Sequence, residues 1–434
     1  MSLHPVAARS VRTLTVFTVA LAVCIALPGS SAVAKRKPTP KPAPPISSEF
    51  FGVHHQGLHA DGPIGWPQAP VGSVRMWDNR VNWREIETAP GVFDWTLIDA
   101  QMAKARANGA SVLLVLGQTP TFHSTNPSAA GSYGPGASAM PTKASWVRYV
   151  QETARRNIDV WGHVATFQVW NEANVVQYWS GTAKQMATLT AWTRSALRSV
   201  DPSARLVAPA LVSRLSSQQT WIKSFYSQKV ARKNVSAYVD ALSFQLYPTA
   251  TGSPEASMTL LAGIRKVLAK NRIVKPIWNT EVNYGLIGGG VAARPISSER
   301  QVGNVIRTFV LNASNKVSRV YWYSWDLLGM TNTPLVLTDR ITLTPAGQAF
   351  TTSRSWLLGA RPAGCSRTKA NTWTCTFTTA STIRRVVWNP SRSVTVKAPL
   401  RTSSVTTWSS AARAARAGSK VRVGVVPVMI SSRR

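Results

Sequence analysis

The chain has 434 residues, 44% of them hydrophobic and 9% aromatic, which excludes a disordered chain and leaves room for one large domain and a small one. Lys and Arg number 50 against 17 Asp and Glu, a formal charge of +33, and no acidic residue follows Asp339. Such an imbalance implies either attraction to something anionic, such as cell-wall polymer, acidic polysaccharide or a membrane surface, or a basic secreted chain whose charge serves solubility. The cations are dispersed and accompany no recognition motif, which argues against a nucleic-acid partner.

Arg9 and Arg12 precede an apolar run from Leu14 to Leu27, and Ala32-Val33-Ala34 supplies an A-x-A cleavage site. Residues 1–34 therefore read as the signal peptide of a secreted, extracellular protein, with cell-wall association a further expectation from the charge. The apolar run is too short for a comfortable membrane span, and no later stretch is long enough. Residues 35–48 open with Lys35-Arg36-Lys37-Pro38 and read as an extended, solvated linker.

From residue 49 to 358, short β-rich runs alternate with helical patterns. Strands are predicted at Phe50 to His55, Ser73 to Asp78, Ser111 to Gln118, Thr166 to Glu172, Arg205 to Leu211, Ala241 to Pro248, Pro276 to Asn283 and Arg319 to Asp326. Helical stretches fit between them, the first capped by Asp94, others at Lys184 to Val200, Gln218 to Val230, Pro254 to Asn271 and Ser297 to Asn312, with Pro345 to Leu358 after the last strand. Eight βα units predict an α/β fold of the (β/α)8 TIM-barrel type. An open doubly wound sheet would alternate too, but no Gly-rich nucleotide fingerprint follows the first strand.

Residues 359–434 are rich in Thr, Ser, Val and Arg with strand-like alternation, and predict a small antiparallel β domain. Val421 to Ile430 reads as its closing strand, and Ala411 to Ala417 as a basic loop or helical turn. Once Cys24 leaves with the signal, Cys365 and Cys375 remain, and an oxidising destination predicts a disulfide that stabilises by about 2–3 kcal/mol. Two thiols with no nearby His do not make a zinc site.

Barrel active sites lie at the C-terminal ends of the strands. Asp94, Asp99, Glu152, Asp159, Glu255 and Glu299 fall on predicted helices or their starts and read as caps and solvated faces. Asp61, Glu85, Glu87 and Asp201 fall in loops or turns, Glu49 and Asp240 at the starts of strands and Asp339 beyond the barrel strands, which leaves four acids at C-terminal strand ends: Asp78, Glu172, Glu281 and Asp326. Two carboxyl groups facing each other across a cleft suffice to hydrolyse a glycosidic bond, one protonating the leaving oxygen while the other attacks the anomeric carbon or activates water. The 17 Trp residues fit a saccharide cleft, because indole faces stack on sugar C–H faces, though they equally well fill a core. Trp77 and Trp325 lie near strand ends and Trp179 in the loop after strand four, and His54 and His55 close strand one, one of them either facing the site or serving as a structural His.

Strand four ends Val169-Trp170-Asn171-Glu172-Ala173-Asn174, and strand seven reads Ile277-Trp278-Asn279-Thr280-Glu281-Val282-Asn283. On these two motifs the stretch 49–358 resembles clan A of the glycoside hydrolases, closest to family 39 and related bacterial glycosidases, with family 5 cellulase-like enzymes close behind. The resemblance implies a retaining hydrolase of O-glycosidic bonds in a poly- or oligosaccharide, needing no metal and no cofactor. It implies Glu172 as acid/base and Glu281 as nucleophile, with Arg75 and Tyr247 as partners of the nucleophile. It further implies Asn171 as the holder of a sugar 2-hydroxyl and Trp322 as the aromatic floor of the subsite. His54 and Trp77 are expected to flank the site, and Asp78 and Asp326 to position groups or bind sugar hydroxyls.

The chain departs from the clan's pattern at Gln245, where many members have His two residues before the strand-six Tyr. Gln donates and accepts but relays no proton. The competing reading is a non-catalytic carbohydrate- or cell-wall-binding protein on a glycosidase-like barrel, motivated by the acid-free C-terminal domain. A binding protein has no need of Glu172, Glu281, Asn171, Arg75 and Tyr247 together. The long Thr119 to Thr142 segment with its Tyr133, and Gly288-Gly289-Gly290, are expected to shape the rim.

Overall fold

Eight short, largely apolar runs pair side by side, all parallel, in the computed structural model, which describes residues 43–285, 295–327, 329 and 331–434. The expected signal peptide, residues 35–42 of the expected linker and Gly288-Gly289-Gly290 lie outside the described residues. The strands are β1 (Phe51–Val53), β2 (Ser73–Met76), β3 (Ser111–Leu116), β4 (Ala165–Val169), β5 in two pieces (Leu206–Val207 and Leu211–Val212), β6 (Leu242–Gln245), β7 (Ile277–Val282) and β8 (Val317–Trp322). Pairing runs unbroken from the first piece of β5 through β4, β3, β2, β1, β8, β7 and β6 to its second piece. A bridge between Val207 and Ala241 closes the ring, with the Asp240 N–H on Leu206 O at 2.7 Å. The fold is a (β/α)8 TIM-like barrel.

Helices α1 (Thr96–Ala107), α2 (Lys143–Asp159), α3 (Ala183–Val200), α4 (Ser216–Ser227), α5 (Pro254–Lys270), α6 (Ser298–Ser314) and α7 (Pro345–Leu357) follow β2 to β8 in turn. The side chains of Thr142, Thr182, Ser297 and Thr344 each accept a first-turn backbone N–H, and Pro254 and Pro345 stand where a helix needs no donor. Between β1 and β2 the chain makes only 3-10 turns, at Gln56–His59 and Gly62–Gly65.

Period-two alternation sorts the strand residues. Val74, Met76, Phe167, Val169, Phe244, Val320 and Trp322 enter the layer between sheet and helices, while Leu113, Val207, Ala241, Trp278 and Tyr321 fill the barrel interior. At Gly52 a Cβ would lie 2.5 Å from the Tyr321 ring, so only glycine lets that ring pack across β1. Arg319 plugs the N-terminal end, its guanidinium 4.2 Å over Trp278 and paired with Glu49 at 2.5 Å.

Several local expectations give way to long-range partners. The end of the expected linker is anchored rather than wholly solvated: Ile46 is buried, and its N–H and C=O bond Ala360 and Gly359, each at 2.9 Å, while Pro44, Pro45 and Ser47 stay exposed. Asp99 is not a solvated helix acid, since it pairs with Arg156 of α2 and accepts from Trp161 Nε1 at 2.8 Å. Glu255 takes Arg307 of α6 at 3.0 Å on both oxygens and the Trp388 indole N–H at 2.8 Å.

Beyond the barrel come β9 (Arg361–Arg367), β10 (Trp373–Thr378), β11 (Thr382–Trp388), β12 (Val394–Lys397), β13 (Thr402–Thr406), β14 (Arg413–Ala414), β15 (Lys420–Val423) and β16 (Val428–Arg433). They form an antiparallel sheet in the order β9-β10-β11-β16-β13-β14 and a separate ribbon β12-β15. The expected closing strand Val421 to Ile430 is thus two strands in different sheets, interrupted by Gly424 and Pro427, and Ala411 to Ala417 carries a two-residue strand rather than a helical turn. Cys365 stands directly opposite Cys375 in the β9-β10 register, Cα–Cα 4.0 Å, with the Sγ atoms within bonding distance. Cys375, Phe377, Val386 and Trp388 join the barrel's hydrophobic core. On α6, a Cβ at Gly303 would lie 2.5 Å from Val425 O, so glycine allows the close approach there.

Glu255 is therefore a joint between α5, α6 and β11. Glu255→Ala should lower stability by about 3 kcal/mol, because it strands the Arg307 guanidinium in a nearly closed site, whereas Glu255→Gln should cost less by keeping the Trp388 bond. Denaturant unfolding of both variants measures the difference.

Candidate active site

Alternation on β2 turns Val74 and Met76 outward and Arg75 inward, where no part of it is exposed. Its planar fork is fully directed. Nη1 donates to Glu281 Oε1 at 2.6 Å, Nη2 to Asn171 Oδ1 at 2.7 Å and Nε to Gln168 Oε1 at 2.8 Å. Gln168 is fixed in turn by Ala208 O at 3.0 Å and Ser243 Oγ at 2.7 Å, and Ser243 by the Thr280 hydroxyl at 2.7 Å.

Strict alternation on β7 would aim Glu281 at the helices, with Ile277 and Asn279. The register slips between β6 and β7, where Phe244 faces Asn279 but Gln245 faces Glu281. The extra residue re-aims Glu281 into the barrel mouth, the usual use of a bulge beside a site. There Glu281 Oε2 accepts the Tyr247 phenol at 3.0 Å. Burial pushes the Glu281 carboxyl up, Arg75 pulls it down, Asp78 pushes it up, and the Tyr247 and Arg75 hydrogen bonds favour the ionised form. Burial and then the Glu281 charge raise the Tyr247 phenol, so Tyr247 stays a donor.

After β4 the backbone takes left-handed conformations at Trp170 (φ 60°) and Glu172 (φ 44°). Each costs about 1–3 kcal/mol and persists only where the surroundings over-determine it. Here Trp170 N–H bonds Leu116 O at 2.8 Å, its indole N–H bonds Tyr178 O at 2.7 Å, and Ala173 N–H bonds Ala210 O at 3.1 Å. Glu172 keeps some open surface although protein surrounds it closely, as at the floor of a cleft. Burial, then the charges of Glu281 and Asp78, push its carboxyl well above the ordinary range against the pull of Arg75 and Arg214. Arg75 touches Glu281 directly and Glu172 only through space, so Glu281 ionises first and Glu172 keeps its proton longer.

Asn171 Oδ1 accepts from both Arg75 and Gln245 Nε2, the latter at 3.0 Å, which leaves its amide N–H2 as a donor without a partner among the described residues. Gln245 thus orients Asn171. His54 is buried with Nε2 3.0 Å from Thr280 O. Burial and then Arg75 hold its pKa well below the usual value, so it is neutral.

The structure does not bring Trp322 to the cleft. It is fully buried on the helix side of β8 beside Phe309 and Tyr284. The next residue, Tyr323, faces inward instead, edge-on to His54 at 4.9 Å. Its phenol donates to Asp78 Oδ2 at 2.9 Å, and Tyr133 donates to Asp78 Oδ1 at 3.0 Å. Trp77 meets Tyr133 edge-on at 5.4 Å, and Tyr133 lies 5.8 Å from Tyr178. Burial and then the charges of Glu172 and Glu281 raise the Tyr178 phenol, which places it at the cleft. Tyr323, Tyr178 and Gln168 were not singled out from sequence. Asp326 serves elsewhere. It accepts Gln56 and Gly57 N–H at 2.8 and 2.7 Å and pairs with His55 and Arg340. Burial alone would raise the Asp326 carboxyl, but these partners bring it down to about 2. Trp179 packs edge-on to Trp170 at 4.9 Å, and Trp325 is also buried.

No protein-family model and no curated protein matches the chain. Among solved structures, it is similar to a family 39 glycoside hydrolase from the gut symbiont Bacteroides cellulosilyticus, at 15% identity and TM-score 0.66, over 90% of this chain and 83% of that one. A monomeric beta-xylosidase from Caulobacter crescentus aligns at 15% identity and TM-score 0.62, over 90% of this chain and 97% of that one. A family 30 endoxylanase from Clostridium papyrosolvens aligns at 13% identity and TM-score 0.58, over 91% of this chain and 98% of that one. The chain shares its fold with glycoside hydrolases of families 39 and 30, in line with the resemblance to clan A.

Tyr247→Phe should keep the fold, because only a hydroxyl is lost. Without the phenol bond Glu281 should ionise about 1–2 pH units higher, the equivalent of one hydrogen bond to a charged group. Carboxyl carbon-13 NMR against pH reads that change.

Proposed function

We propose that the protein is a secreted retaining glycoside hydrolase that cleaves O-glycosidic bonds by double displacement. The observation carrying this reading is the inequality of two neighbouring carboxyl groups: burial raises both, but Arg75 and Tyr247 touch Glu281 and favour its ionised form, while Glu172 has no cation in contact among the described residues and keeps its proton to higher pH. In the first step the Glu281 carboxylate attacks the anomeric carbon as Glu172 gives its proton to the departing oxygen. In the second, water attacks that carbon, Glu172 takes the water's proton, and the Glu281 ester bond breaks. The free N–H2 of Asn171 donates to the sugar 2-hydroxyl. Tyr323, Tyr133 and Asp78 supply hydroxyl contacts and an aromatic wall. Xylosidase and xylanase neighbours make β-xylosides the first substrates to try. The N-terminal signal features, and Cys365 facing Cys375 at disulfide geometry, support an oxidising extracellular destination.

A panel of aryl glycosides tests the reading. Glu281→Gln should lose on the order of 10³-fold or more in kcat, as expected when a nucleophile is removed; equal turnover in variant and parent would refute the assignment. The pH profile should be a bell. Activity falls at low pH as Glu281 takes a proton, and at high pH as Glu172 loses one. Glu172→Gln should abolish the alkaline limb while sparing substrates whose leaving group needs no proton, such as dinitrophenyl glycosides.

A further inference from the structure

Between residues 359 and 434 the chain carries fourteen Lys and Arg and no Asp or Glu. Among the described residues, the ion pairs all belong to the segment from Glu49 to Arg340, and none includes a cation of this domain. The barrel neutralises many of its cations internally, and the β domain does not.

The ribbon β12-β15 concentrates this charge. Val394, Val396, Val421 and Val423 turn inward and pack with Ala398, Val387, Val428 and Ile430 in a small core of their own. Pleating sends the alternate residues outward, so Thr395, Lys397, Lys420 and Arg422 are all exposed. The register sets Lys397 directly opposite Lys420, and Thr395 opposite Arg422. Like charges in directly opposed positions destabilise a sheet, and no carboxylate stands nearby in sequence to offset them. Solubility needs positive charge somewhere on the surface. It does not need three cations in one cross-strand quartet. Such neighbours lie about 5–7 Å apart, so one extended polyanion can touch all three. Exposed Arg392 and Arg401 flank β12 at its two ends.

The chemistry narrows the partner. The outward quartet offers neither aromatic faces on which bases stack nor an apolar stripe that enters a bilayer. We infer that the outward face of β12-β15 binds a linear anionic polysaccharide. This surface uses no residue of the Glu172–Glu281 site, so it stands or falls apart from the catalytic reading.

The test measures binding of the full secreted chain to polygalacturonate by calorimetry across a salt series. A ribbon variant (Lys397→Gln, Lys420→Gln, Arg422→Gln) is compared with a control of equal net charge (Lys369→Gln, Arg433→Gln, Arg434→Gln). The ribbon variant should bind about tenfold more weakly, the sum of three modest screened contacts, with a shallower salt dependence. The control should bind like the parent. Thermal melts check that both variants fold, and the ribbon variant should melt no lower than the parent, since it relieves repulsion. Equal weakening in both variants would overturn the inference, leaving only diffuse charge. So would no binding by the parent, or tighter binding to duplex DNA or to anionic vesicles at the same salt.

Discussion

One buried guanidinium organises the mouth of this barrel. Arg75 has no exposed surface, and an enclosed cation costs several kcal/mol unless every direction of its fork is answered. Two strands answer it: β7 with Glu281, and β4 with Gln168 and, just beyond its end, Asn171. Gln245 of β6 supports Asn171, and Ser243 supports Gln168. Asn171 lies between Trp170 and Glu172, so its bonds to Arg75 and Gln245 add to the backbone bonds to Leu116 and Ala210 that hold that strained turn in place. A neutral Glu281 would leave Arg75 with no counter-charge in contact among the described residues, which ties the ionisation of that carboxylate to the integrity of the site.

Two residues of one type acquire different chemistry here through their surroundings alone. Burial raises both carboxyl groups, and the nearby Asp78 raises both further. What separates them is contact. Glu281 holds a cation and a phenol, while Glu172 is partly exposed and touches neither among the described residues. Asp78 is itself held by two tyrosines, and burial raises its carboxyl too. That cluster joins the ends of β2 and β8 to the loop after β3, giving the cleft a firm wall on one side.

The βα rhythm and the acids at strand ends were legible in the sequence because both follow from local pattern. Which way a side chain points was less so. In parallel strands covered on both faces, inward and outward residues are equally apolar, so Val320-Tyr321-Trp322-Tyr323 reads the same in either register. The resemblance to clan A assigned Trp322 to the cleft, and the strand pattern offered nothing to correct it; Tyr323 is the residue that faces inward. Glu281 points inward only because of a register slip that no periodicity announces. Asp99, Glu255 and Asp326 lie next to ordinary helix or loop signals, and their partners come from elements far away in sequence. The Trp content also proved ambiguous. Nine of the largest fully buried side chains are tryptophans, and the cleft is walled mainly by tyrosine.

The central claim is that Glu281 forms a bond to sugar. Trapping tests it most directly: the enzyme is incubated with activated 2-deoxy-2-fluoro glycosides, digested, and its peptides weighed by mass spectrometry. The account predicts a single fluoroglycosyl mass on the peptide containing Glu281, with activity lost in step with labelling. A label on another carboxylate such as Asp78, or steady turnover of the substrate with no label at all, would contradict it.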